Sequence, residues 1–173
     1  PAIYRGYRSV GDAACVTLLK NAGALIAGKT VTTEFAFFKP GQTVNPYDYG
    51  RTPGGSSSGS AAAVACGMID IGLASQTAAS LTRPASYCGV VGFKPSVGRG
   101  NSAGVKYLAP SFVASGVITA AWNTAIVADS VLKGPCFQET LLTPLKPKRI
   151  GFCYIPLLQQ GEPEMHEALG TLV

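Results

Sequence analysis

The run Gly54-Gly-Ser-Ser-Ser-Gly-Ser-Ala-Ala-Ala-Val64 constrains this chain more than any other segment. Glycine and serine favour turns and irregular backbone, whereas the alanines that follow are the strongest helix formers. The run therefore reads as a loop that passes without a break into a helix. Two readings of the loop stay open. It is a flexible Gly/Ser linker or turn, although linkers rarely lead straight into a helix. Or it is a place where backbone N–H groups at a helix N-terminus meet an anion or oxyanion. It is not a nucleotide-phosphate loop, because GxxxxGK[ST] is absent. A second serine-rich segment follows, Ser75-Gln-Thr-Ala-Ala-Ser-Leu-Thr-Arg-Pro-Ala-Ser-Tyr-Cys-Gly89.

Composition excludes several classes. The chain has 173 residues, 14 Lys plus Arg against 9 Asp plus Glu, and 13% charged residues against 47% hydrophobic. A typical domain is about 25% charged. This is no disordered polyelectrolyte, since the apolar surface suffices to offset the ordering entropy. So few charges also suit a piece buried within something larger, because alone it would expose apolar surface. The basic residues are scattered, the densest cluster being Lys146, Lys148 and Arg149 around Pro147, so no nucleic-acid partner is expected. The five cysteines (15, 66, 88, 136 and 153) lie in apolar runs without metal-ligand spacing. They read as free buried thiols in a reducing, cytoplasmic setting. With one histidine, His166, no metal site is expected, and no cofactor either. The apolar stretch from Ala61 to Ala74 is broken by Gly67, Asp70 and Gly72 and is too short to span a bilayer. Pro1 to Arg8 lacks the apolar core of a signal peptide, so no membrane partner is expected. The first residue is not methionine, and a helix opening at Glu164 stops in mid-pattern at Val173, so the chain reads as a fragment.

Asp12 is a good N-cap for a helix over Ala13–Ala22, with Gly23 placed to end it. Ala24–Ala27 reads as a short buried strand, Lys39–Gly55 as a turn-rich connection, and Ser60–Cys66 as a helix. Met68–Ala74, Gly89–Phe93 and Arg149–Tyr154 are strand-like, and Ala120–Leu132 is helical. Strands alternating with helices predict one α/β domain over residues 1–173, a central mixed sheet covered by helices.

The two serine-rich loops, with Ser80 placed 24 residues after Ser56, resemble the amidase signature family. The likeness extends to flanking segments. One is Leu19-Lys-Asn-Ala-Gly-Ala-Leu-Ile-Ala-Gly-Lys-Thr30, with Glu34-Phe-Ala36 beyond it; the other is Pro84-Ala-Ser-Tyr-Cys-Gly-Val-Val-Gly-Phe-Lys-Pro-Ser96. It covers roughly Gly11 to Lys133. The resemblance implies an α/β amidase-signature fold, here a partial core, and an amide hydrolase with a Ser-Ser-Lys triad acting on small carboxylic amides. Ser80 matches the nucleophile. Ser56 matches the bridging serine, which the family holds through a cis peptide bond with its neighbour. Thr77, Ala78, Ala79 and Ser80 match the loop whose N–H groups form the oxyanion hole. Arg83 matches an arginine that in one branch reads a substrate carboxylate; its structural alternative is pairing with a loop carbonyl. The implied partner is a small-molecule amide, and a homo-oligomer is allowed.

Serine needs a base to become a nucleophile. His166 lies 86 residues beyond Ser80 in a polar helix, which disfavours a Ser-His-Asp triad. The family's lysine lies several dozen residues before the Gly-Gly-Ser-Ser loop. Of Lys20, Lys29 and Lys39, none matches it, and Lys29 matches a later family position. The chain is therefore expected to lack the segments upstream and downstream of this core and to be inactive by itself. Further departures are Ala78 and Ala79 for glycines, Val113 for an aspartate and Ala120 for an arginine. An amide hydrolase is the first reading. A non-catalytic amidase-like binding or scaffold protein is the second. The amidase subunit of a transfer-RNA amidotransferase ranks third, because that branch shows Asp-Thr-Gly-Gly-Ser where this chain has Gln76-Thr-Ala-Ala-Ser80.

Overall fold

The computed structural model describes residues 2–134, 149, 151 and 156–171. The chain divides into two compact units, Pro1–Glu139 and Thr140–Val173. The second contributes a 3-10 turn at Pro156–Gln160 and helix α5, Pro163–Gly170, with proline suitably placed in its first turn. The strand expected at Arg149–Tyr154 and the cluster at Lys146 and Lys148 lie outside the described residues.

The first unit runs α1 (Ala14–Asn21), α2 (Ser58–Ala65), β1 (Ile71–Gln76), α3 (Thr82–Tyr87), β2 (Val91–Phe93), β3 (Ala114–Thr119) and α4 (Trp122–Leu132). The sheet order is β1-β3-β2. β3 pairs antiparallel with both neighbours, Ile71 facing Thr119 on one side and Val91 facing Thr119 on the other. β1 and β2 run in the same direction with α3 between them in sequence, the arrangement that would make a parallel pair. β3 slots between them, so every ladder among the described residues is antiparallel instead of mixed.

Consecutive side chains of a strand point to opposite faces. Val117 packs with Cys15, Leu19, Ala125, Ala128 and Leu132, so α1 and α4 cover one face. Ile118 packs with Ala61, Val64, Leu81, Ala85 and Cys88, so α2 and α3 cover the other. Both residues are fully buried. The result is the helix-covered α/β layering that the sequence predicts, centred on a strand the sequence reading left unassigned. β3 also needs Gly116, because a Cβ there would stand 2.2 Å from the Phe93 carbonyl oxygen of β2.

Several local expectations change. Ala24–Ala27 joins no ladder among the described residues, and Leu25 is exposed where a buried strand is expected. Ala13, not Asp12, caps α1. The first N–H of the helix, on Ala14, is satisfied by the Ala103 carbonyl (2.9 Å), which leaves Asp12 to pair with Lys20 at 3.0 Å. Gly23 ends the helix with φ +90°, as expected. Of the cysteines, Cys15 and Cys88 are buried, but Cys66 is exposed at the C-terminal end of α2; Cys136 and Cys153 lie outside the described residues. No helix among the described residues is long and apolar enough to cross a membrane.

Candidate active site

The Gly/Ser loop is shaped by an extended segment that docks across the first turn of α2. Gly59 N–H donates to the Val31 carbonyl (2.9 Å), Thr33 N–H donates to the Ser56 carbonyl (3.0 Å), and the Thr30 and Ser60 hydroxyls share a 2.7 Å hydrogen bond. The approach is close enough that a Cβ on Gly59 would lie 2.4 Å from the Val31 nitrogen. Ser60 Oγ in turn donates to the Leu73 carbonyl of β1 (2.9 Å). The Gly55–Ser56 peptide bond is cis, and Ser56 is buried. Backbone bonding and tight packing on both sides of Ser56 thus hold it in one place.

The second loop is closed by a residue that sequence reasoning passed over. The Gln76 side-chain oxygen, at the last position of β1, accepts from Leu81 N–H (2.8 Å), Thr82 N–H (2.8 Å) and the Thr82 hydroxyl (3.1 Å). Gln76 thereby supplies an acceptor to the start of α3, where N–H groups have no partner within the helix. It draws residues 77–81 into a tight loop. A long polar side chain ending a strand just before a helix start was the available signal. The two loops meet where Ser57 N–H donates to the Ser80 carbonyl at 3.1 Å.

A cavity of about 440 Å³ opens where they meet, lined among others by Ser56, Ser57, Ser75, Thr77 and Ser80. Of the predicted site residues, Ser56, Ser80 and Thr77 line it; Ala78, Ala79 and Arg83 do not. The non-glycine residues with positive φ among the described residues are Phe35 and Ala36. Ala78 and Ala79 therefore carry their methyl groups without left-handed strain. The N–H groups of Ala78, Ala79 and Ser80 meet no acceptor among the described residues. Arg83 donates through Nε (3.0 Å) and Nη2 (2.7 Å) to the Gly55 carbonyl. Of the two roles open to it, the guanidinium occupies the loop-carbonyl one, bracing the turn that carries Ser56.

Val113, standing where the family has an aspartate, is buried and lines the cavity. Ala120 is exposed at the surface. Thr33 lines the cavity too, and its Oγ1 is buried without a hydrogen-bond partner among the described residues. Cys15 is a further wall residue, but burial pushes its thiol above the ordinary cysteine range, which keeps it protonated and a poor nucleophile. His166 is on α5, in the other unit, and exposed. Sequence reasoning also missed Tyr107, whose hydroxyl pairs with Ser115 Oγ at 2.6 Å on the cavity wall, and Lys106 beside it. Both sit in an irregular segment with no motif of its own, so only folding places them here.

Comparison with known proteins bears on the family and the fold. A model of the amidase family matches residues 2–172. The A subunit of Glutamyl-tRNA(Gln) amidotransferase from Methanospirillum hungatei is 52% identical over 103 residues, which is 56% of this chain and 24% of that protein. The crystal structure of the A subunit of Glutamyl-tRNA(Gln) amidotransferase from Thermotoga maritima superimposes with a TM-score of 0.71 at 41% identity, covering 75% of this chain and 30% of that one. Native peptide amidase from Stenotrophomonas maltophilia gives 0.70 at 35% identity, covering 73% and 28%. The chain thus spans between about a quarter and a third of the length of these three proteins. The match runs through both serine loops and the strands and helices that hold them together, and on it this chain belongs to the amidase family.

Proposed function

We infer that this chain carries the serine centre of an amide hydrolase acting on small carboxylic amides, with Ser80 as nucleophile and Ser56 as the bridging serine of a Ser-Ser-Lys triad. The observation that supports it best is the junction of the two loops, with both serines on one cavity beside loop N–H groups that meet no acceptor among the described residues. In this reading Ser80 Oγ attacks the amide carbon. Its proton passes to Ser56 Oγ, while the Ser56 proton passes to a neutral lysine amine. The N–H groups of Ala78, Ala79 and Ser80 receive the oxyanion; one such donor is typically worth about 2.7–4 kcal/mol of transition-state stabilisation. Return of the proton to the leaving nitrogen expels the amine, and water then releases the acid from Ser80. The lysine is assigned to none of this chain's residues and is sought in the complete reading frame.

The test is active-site labelling of the full-length protein with a fluorophosphonate. Labelling at Ser80 is expected, abolished by Ser80→Ala and severely slowed by Ser56→Ala. Label that persists in Ser80→Ala names the wrong nucleophile. No labelling at all favours the non-catalytic binding or scaffold reading, to which the apolar Val113 also points. The names of the relatives favour a further reading, the corresponding part of the A subunit of a Glutamyl-tRNA(Gln) amidotransferase. That reading expects hydrolysis to depend on partner subunits, and activity of the purified full-length protein alone would speak against it.

A further inference from the structure

Among the described residues lining the cavity, Lys106 is the one that carries a charge. The rest of the wall is built from hydroxyl, thiol, aliphatic and aromatic side chains, with no carboxylate among them. We propose that Lys106 is a specificity-determining residue that selects amides carrying a carboxylate, an inference that rests on the cavity being an amide-hydrolase site.

The position of Lys106 is built into the fold. Its neighbour Tyr107 is tied to β3 by the 2.6 Å bond to Ser115, and Ser115 stands opposite Ser75 in the β1–β3 register. The Lys106 ammonium donates to the Tyr4 hydroxyl and lies 4.3 Å from the centre of that ring. Tyr4 is itself packed against Tyr7 and Phe35, with ring centres 6.4 and 6.5 Å away. An ammonium has three N–H donors, and Tyr4 takes one. No ion pair among the described residues holds the others. The tyrosine positions the cation at the cavity wall without neutralising it.

The competing cation is unsuited. Arg83 spends Nε and Nη2 on the Gly55 carbonyl and does not line the cavity. A neutral or cationic amide in the cavity would cover the Lys106 ammonium without replacing its water, which is unfavourable for a charge. A substrate carboxylate replaces that water with a charge-assisted hydrogen bond. The cavity, at about 440 Å³, falls within the range of small-ligand sites and has room for an amide at Ser80 with an acid group a few bonds away.

The experiment uses the full-length protein with two amides of matched length, succinamate and the uncharged butyramide. Wild type is expected to favour succinamate in kcat/KM. Lys106→Met lowers that preference ten-fold or more, and the loss falls in KM rather than kcat. Lys106→Arg restores most of it, and Lys106→Glu shifts the preference toward 4-aminobutyramide. A preference unchanged in Lys106→Met overturns the proposal. Fluorophosphonate labelling of Ser80 reads the hydrolase assignment separately, since the uncharged reagent has no carboxylate for Lys106 to recognise. Should labelling and turnover both be absent, titration with succinate still decides. Binding at least ten-fold weaker in Lys106→Met upholds the role of the lysine, and equal binding, or none in wild type, refutes it.

Discussion

Replacing Gly59 by alanine tests the docking that holds Ser56 in place. The new methyl would stand 2.4 Å from the Val31 nitrogen, 2.8 Å from the Val31 oxygen and 3.0 Å from Thr30 Cβ. Carbon atoms pack at about 3.5–4.0 Å, so the segment has to move by about 1 Å. That movement breaks the 2.9 Å bond from Gly59 N–H to Val31 and drags Thr33, whose N–H holds the Ser56 carbonyl. Overpacking of this kind costs about 1–3 kcal/mol. A lost backbone hydrogen bond adds about 0.5–1.5 kcal/mol. Alanine in place of glycine in a helix returns up to about 1 kcal/mol. The net loss is about 1–3 kcal/mol, which at a urea dependence of roughly 1–3 kcal/mol per molar moves the unfolding midpoint down by roughly 1 M. The matched control is Gly28→Ala, three residues before Val31, with no atom within 4 Å of the new methyl and no positive φ. It is expected to unfold with or slightly above wild type, because alanine restricts the unfolded chain. Equal midpoints for Gly59→Ala and Gly28→Ala in urea melts followed by circular dichroism would refute the reasoning.

Arg83→Ala removes both donors from the Gly55 carbonyl and is expected to cost about 1–2 kcal/mol, the low end for a charged hydrogen bond because the side chain is half-exposed. Arg83→Lys should recover less than half of that in the same melts, since an ammonium cannot present the planar fork; full recovery would show that charge alone matters. In native protein treated with N-ethylmaleimide and mapped by mass spectrometry, Cys66 should react readily and Cys15 and Cys88 only after unfolding. Burial raises the thiols of Cys15 and Cys88 above their ordinary value of 9.0, so the native state retains protons that the unfolded state releases. Their contribution is therefore complete below about pH 9 and lost as the pH rises above it. The urea midpoint should fall more steeply between pH 9 and 10 in wild type than in Cys15→Ala, and parallel curves would exclude this linkage.

The two serine loops were legible from sequence because their signals are local. Gly54–Gly59 followed by alanines can hardly be anything but a loop entering a helix, and α2 starts at Ser58. Ser80 and Ser56 were recognisable through a spaced pattern of residues, and folding brings both to one cavity. β3 was not legible. Its residues Ala114-Ser-Gly-Val-Ile-Thr119 are buried on both faces, so they lack the alternation that marks a half-exposed strand. Only the helices closing over each face, α1 with α4 and α2 with α3, show why Val117 and Ile118 are both apolar. The same limit applies to single side chains. Asp12 had the right chemistry for a cap, yet Ala103, far away in sequence, supplied the carbonyl first. Arg83 has chemistry suited to a carboxylate or to a loop carbonyl, and only the fold shows Nε and Nη2 meeting the Gly55 carbonyl. The turns, the helices other than α3 (Thr82–Tyr87) and the serines of the family pattern can be read without the fold, because backbone preference and motif act over a few residues. Tertiary structure alone decided the strand order, the partners of Asp12, Gln76 and Arg83, and the arrival of Lys106 at the cavity, because a hydrogen bond or a charge is satisfied by whichever group the packed core brings nearest.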